Sequence, residues 1–169
     1  MKNIFITAVV ATATLISCST VSSVLQNTLP YNSNFVVTQG SPANTQLSAV
    51  GAGTSLNQIA NVSNNVKYIR ASTATMTVTS GTQGMGVFQS VRVYISSGNN
   101  EVLVASRDNI ADNIGNSLSL DVNNNQILDN VMKSGNAIQQ RVVYILKSSP
   151  TADMSVRSSL TFSSIPATQ

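Results

Sequence analysis

Histidine and tryptophan are absent from this chain, and cysteine occurs once, at Cys18. Without histidine, imidazole acid–base catalysis and the ordinary zinc ligand sets fall away. One cysteine cannot build a disulfide framework. Without tryptophan there is no indole platform on which a sugar ring would stack. Charge is scarce as well: nine Lys and Arg stand against six Asp and Glu in 169 residues. The bases between Lys67 and Arg157 never cluster, whereas a nucleic-acid binder shows a basic face, so that class is excluded. Asn, Ser and Thr are abundant in their place, which describes a surface solvated by neutral polar groups.

The first residues read as a targeting segment. Lys2 supplies a positive start, and residues 4–16 supply thirteen mostly apolar positions. A membrane-spanning helix needs about 20, so this run has the length of a signal-peptide core. It ends in Leu15-Ile16-Ser17-Cys18, which resembles a lipobox, the site at which bacterial lipoproteins are cut and lipidated. The resemblance implies a diacylglyceryl group on the Cys18 sulfur, cleavage before Cys18, and commonly a further acyl chain such as palmitate on the new amino group. Lipidation would also withdraw the only thiol from any thiol chemistry. Ser19 follows, and residues 19–23 hold no acid. By resemblance to lipoprotein sorting signals this implies the outer membrane, facing the periplasm, with the cell surface as the alternative.

Removing residues 1–17 leaves one domain's worth of chain. A chain of that length buries about 70% of its unfolded surface and can stand on its own core. Eight bases remain against six acids once Lys2 is gone. Residues 18–33, rich in Ser, Thr and Asn and containing Pro30, read as a tether. Residues 34–169 read as a domain of strands. Residues 34–39 carry Phe35-Val36-Val37. Residues 40–65 are interrupted by glycine and proline, with Leu56, Ile59 and Ala60 spaced for one helical turn. In residues 66–79, Ala74, Met76 and Val78 alternate with Thr75, Thr77 and Thr79. In residues 88–96, Val91, Val93 and Ile95 alternate with Arg92 and Tyr94, and residues 97–100 turn into 102–105 as a hairpin. Leu118, Leu120 and Val122 make another half-buried strand. Ile127, Leu128, Val131 and Met132 then fall at helical spacing over 124–133, with Asn123 or Asn124 as cap and Gly135 as stop. Residues 138–146 and the alternation Met154, Val156, Leu160, Phe162 close the chain. About seven strands and one short helix predict an all-β, antiparallel sandwich.

The run Val91-Arg92-Val93-Tyr94-Ile95-Ser96, the partner Val102-Leu103-Val104-Ala105, the loop Asp108-Asn109-Ile110 and the strand Leu118-Ser119-Leu120-Asp121-Val122 resemble small β-sandwich lipoproteins of Bacteroidetes, most without an assigned function. The resemblance spans residues 66–165. It implies an immunoglobulin-like sandwich and carries over no active-site residue.

Candidate sites are few. Asp121-x-Asn123-x-Asn125, with Asp129 at the ninth place, has the spacing that opens an EF-hand loop. Gln126 stands where that turn needs Gly, and Met132 stands where a bidentate Glu belongs, so a strand end and helix cap explain it better. A looser calcium site among Asp108, Asp112 and Asp121 stays open as the alternative. Asp108 and Asp112 could serve a glycosidase only within a cleft, and solvated loops explain them better. Gly51-x-Gly53 and Gly84-x-Gly86 lack the strand-to-helix setting of a phosphate loop. Asn61-Val62-Ser63 fits a glycosylation sequon that a bacterial lipoprotein would not use. Arg92 and Tyr94 point away from the apolar face of their strand, as an aromatic–cation pair that anchors a partner would. The expectation is a non-enzymatic, lipid-anchored envelope module that needs no metal or cofactor. It would dock an envelope protein or polysaccharide through Arg92 and Tyr94. The alternatives are a pilin-like assembly subunit completed by a donated strand, and a glycan-acting enzyme using loop carboxylates.

Overall fold

The fold was analysed in a computed structural model, which describes residues 27–51 and 66–167. Cys18, the lipobox, residues 56–60 and the Asn61 sequon lie outside the described residues. Among the described residues nine strands form: β1 (Asn27–Val37), β2 (Gln46–Val50), β3 (Val66–Ser80), β4 (Phe88–Ser97), β5 (Asn100–Asp108), β6 (Ser117–Ser119), β7 (Asp121–Val122), β8 (Ile138–Leu146) and β9 (Met154–Pro166). A 3-10 turn (Met85–Val87) precedes β4, and a single helical turn, α1 (Asp129–Met132), precedes β8.

All neighbouring strands are antiparallel. One sheet has the order β1-β9-β3-β6 and the other β2-β8-β4-β5-β7, which is the all-β sandwich expected from the alternation. The order also fixes how the chain is wound. β1 pairs with β9, β2 with β8, β3 with β6 and β4 with β5, so successive nested pairs fall in alternate sheets. That winding is a jelly roll. The immunoglobulin-like winding implied by the resemblance sets its first two strands side by side in one sheet; here β1 and β2 lie in different sheets.

The core is the interior between the sheets. Leu29, Met76, Phe88, Val93, Ile95, Leu118, Ile138, Leu146 and Phe162 are all but fully buried there, as the period of two predicts. Tyr144 from β8 stacks on Phe35 at 5.9 Å and meets Phe88 edge-on at 5.6 Å. Burial pushes the Tyr144 phenol above its ordinary range.

Three expectations are corrected. Residues 27–33 are not tether: Leu29, Tyr31 and Ser33 point inward and extend β1 by seven residues beyond the expected start. Pro30 is tolerated because β1 is an edge strand with one side unpaired. β2 leaves little trace in the sequence because only the partly buried Leu47 and Ala49 face the core, while Gln46, Ser48 and Val50 are exposed. The helix expected over 124–133 is one turn, preceded by Leu128 rather than capped by Asn123 or Asn124. Ile127 is exposed, so its helical spacing has no apolar surface to pack on. The expected strand over Leu118–Val122 divides instead at Leu120: β6 joins β3 in one sheet and β7 joins β5 in the other.

Candidate functional site

Arg92 and Tyr94 do share one face with other functional groups, on the outside of the five-stranded sheet. Val91, Val93 and Ile95 are buried in the core, so the pleat sends Arg92 and Tyr94 outward. Across β8, Val143 stands opposite Arg92 and Arg141 opposite Tyr94. The Arg141 guanidinium lies over the Tyr94 ring, 4.7 Å from its centroid, a cation–π contact. It also grips Glu101 on β5 with two donors, Nε at 2.7 Å from Oε1 and Nη2 on Oε2. That fork holds the Glu101 carboxyl below the usual carboxylate range and Arg141 above its ordinary value. Further along the face, Arg92 Nη2 reaches Asp108 Oδ1 at 3.3 Å.

A bulge arranges these charges. β5 pairs Ala105 with Val93 but Leu103 with Tyr94, leaving Val104 as the extra residue. The bulge shifts the alternation by one, so Glu101 and Leu103 before it and Ser106 and Asp108 after it meet the same face of β4. Val143, opposite Arg92 on β4 and Ser48 on β2, points outward yet is only 6% exposed. The face therefore has an apolar floor framed by an aromatic ring and two arginines, the composition of an interface centre.

The carboxylates are spread rather than paired with each other. Asp108 meets Arg92, Asp121 meets Arg107 at 3.1 Å, and Asp112 meets Lys147. Asp108, Asp121 and Asp112 are more than half exposed. Two shallow cavities open nearby. One of about 420 Å³ is lined by Gln83, Gly84, Gly86, Val87, Asp112, Lys147 and Ser148. The other, about 410 Å³, is lined by Gln89, Ser90, Arg92, Asp108, Asn109 and Ile145. Each holds one carboxylate with its own base, and neither holds the acid pair that glycoside hydrolysis needs. The Gly84-x-Gly86 motif is explained by contact: a Cβ on Gly86 would come within 2.0 Å of the Asp112 carbonyl oxygen.

The EF-hand-like residues have other partners. Asp121 is taken by Arg107. Asp129 accepts the Ile69 N–H at 2.7 Å and the Tyr68 N–H at 3.2 Å, and binds Lys133. Among the described residues no group of three Asp, Glu, His or Cys is placed to hold a metal ion. The alternation in β4 marks Arg92 and Tyr94 as outward, but no local pattern marks Glu101, Arg141 or Val143 as their neighbours. Arg141 sits in a strand, 138–146, whose outward side chains the sequence does not single out, and the unbroken apolar run Val102-Leu103-Val104-Ala105 is the trace of the bulge.

No protein-family model matches this chain, and no curated protein matches it. A solved chain from Desmodium yellow mottle tymovirus aligns over 99% of this chain and 97% of that chain, at 10% identity and a TM-score of 0.27. That likeness is too slight to carry an argument; the jelly-roll assignment rests on the strand order alone. Among the described residues no helix is long and apolar enough to cross a membrane.

Proposed function

We propose that this chain is a non-enzymatic lipoprotein of the outer membrane, held by lipid on Cys18, whose jelly roll presents the outer face of the five-stranded sheet to an envelope protein. The observation that carries the binding reading is the outward Tyr94 ring under the Arg141 guanidinium, with Arg92 on the same face. Tyr and Arg dominate the energetics of protein interfaces, and here their charges are already oriented by Glu101 and Asp108 before any partner arrives. The lipid reading rests on the lipobox-like run ending at Cys18. The assembly-subunit alternative calls for an unpaired groove or a mobile terminal strand; among the described residues the last strand, β9, is paired on both sides, with β1 and β3.

The test has two parts. Intact mass of the protein from the membrane fraction is expected to show a chain starting at Cys18 with acyl mass. A photoreactive residue replacing Tyr94 is expected to crosslink one envelope protein in intact cells, while the same probe at Thr161, on the other sheet, does not. Crosslinking to polysaccharide would change the partner class, and equal labelling from both positions would sink the docking face.

A further inference from the structure

A second surface lies at one end of the sandwich, built where β3 begins. Tyr68 has φ +55°, a left-handed conformation that costs a non-glycine residue energy and is kept only where its surroundings enforce it. The Asp129 carboxylate enforces it by accepting the backbone N–H groups of Tyr68 and Ile69. The result is an aromatic side chain held 51% exposed. Ile127 lies beside it, since Leu128 N–H donates to the Ile69 carbonyl at 2.8 Å, and Ile127 is 46% exposed. Bases surround the two. Lys67 Nζ is 5.8 Å from the Tyr68 ring centroid. Arg70 donates to the carbonyls of Asn124 and Asn125 rather than to a carboxylate. Lys133 shares Asp129.

Three bases therefore face one acid here. Toward the opposite end Asp108 and Asp112 each pair with a base, Arg92 and Lys147, and Asp153 accepts the Gln39 N–H. The register decides which end the N-terminus leaves from. Asn27 pairs with Ser164 on β9, and Val66 pairs with Pro166, so the chain enters β1 beside Tyr68. Asn27 comes nine residues after Cys18, a reach of at most about 32 Å. β1 itself runs about 33 Å to Val37 at the usual rise per residue. The opposite end could therefore touch a membrane holding Cys18 only with the connector stretched to its limit, whereas the Tyr68 end sits next to it.

We propose that the Tyr68–Ile127 patch, with Lys67, Arg70 and Lys133, is a membrane-contact surface that seats this end of the domain on anionic lipid headgroups. Tyrosine suits that boundary, with an apolar ring and a wet hydroxyl, and each base near the surface adds attraction to anionic lipid. This inference rests on the lipid-anchor reading of Cys18. Its consequence is orientation: the domain stands with its strands rising from the bilayer and the Arg92–Tyr94 face turned sideways.

The absence of tryptophan makes the test clean. The full lipidated chain carrying Tyr68→Trp, Ile127→Trp or, at the far end, Gln83→Trp is reconstituted in phosphatidylcholine vesicles with brominated acyl chains, with and without phosphatidylglycerol. The first two reporters are expected to shift blue and be quenched by bromine, more strongly with phosphatidylglycerol, and the Gln83→Trp reporter to stay as in water. Lys67→Glu added to Ile127→Trp is expected to weaken the quenched population about fivefold in the phosphatidylglycerol vesicles. If the protein floats with the vesicles but Tyr68→Trp and Ile127→Trp behave like Gln83→Trp, the contact surface is wrong while the anchor stands. If the chain carries no acyl mass and does not float, the anchor reading falls and takes this inference with it.

Discussion

Replacing Asp129 should damage this fold more than replacing any other acid in it. Its Oδ1 accepts the N–H of Ile69 at 2.7 Å, and Ile69 is fully buried. A hydrogen bond to a charged group is worth about 1.5–3 kcal/mol, and a buried N–H left without a partner costs about 1–3 kcal/mol. The Tyr68 N–H at 3.2 Å is exposed, so water replaces that acceptor at little cost. The pair with Lys133, four residues on and about a quarter exposed, adds about 0.3–0.5 kcal/mol. Asp129→Ala should therefore cost about 3 kcal/mol. With a urea m-value of about 2 kcal/mol/M, the unfolding midpoint should fall by about 1.5 M. Asp129→Asn keeps a carbonyl oxygen for Ile69 and should cost about 1 kcal/mol. Amide exchange should quicken at Ile69 in the alanine variant before the rest of β3 responds. An alanine variant within about 0.5 kcal/mol of the parent would refute the reasoning. So would an asparagine variant as damaged as the alanine one, because the missing charge, and not the missing acceptor, would then be the cause.

Two further outcomes test the sandwich itself. A Cβ on Gly51 would lie 1.6 Å from Ser33 Oγ and 2.7 Å from Ser33 Cβ, so Gly51→Ala should cost about 1–3 kcal/mol in urea denaturation. Ser33→Gly in the same chain should restore most of the loss, and Ser33→Ala alone should be neutral or stabilising, because the buried Ser33 hydroxyl has no hydrogen-bond partner among the described residues; an unaffected Gly51→Ala chain would mean the sheets do not close as described. Glu101 has its folded pKa lowered by Arg141, so its stabilisation is present above the ordinary carboxylate pKa of about 4.3 and lost as pH falls through the folded value. The pair is about one-third exposed, so Glu101→Gln should lower stability at neutral pH by less than about 1 kcal/mol and flatten the acid limb of the stability–pH curve by the same amount; parallel curves for the two chains would contradict that.

How much of this was legible in the sequence follows from which signals are local. Strands buried on one face announce themselves, so Val91, Val93 and Ile95, or Met154, Val156 and Phe162, identify their strands and their inner faces. The sandwich follows from those. The winding does not, because the choice between jelly roll and immunoglobulin order is made by pairings such as Thr28 with Ser163, which no local pattern encodes. β2 hides because an edge strand needs only two small contacts with the core. The outer face of the five-stranded sheet is half legible: Arg92 and Tyr94 show as outward residues, but Arg141 and Glu101 join them only through pairing with β8 and through the bulge at Val104. Tyr68 was invisible as an exposed residue, because its exposure depends on a carboxylate sixty-one residues away.

Leu120 is the residue at which one strand changes sheets, its N–H still donating to Ala74 while Asp121 already pairs with Ser106. Such a crossing has a kinetic meaning. Residues 117–122 can take their seats only after β3 and β5 are both in place, and β3 and β5 belong to different layers. Closure at Leu120 therefore belongs late on the folding path, where lost contacts speed unfolding more than they slow folding. The lifetime of the native state is then set in part by a short stretch that neither sheet can hold alone.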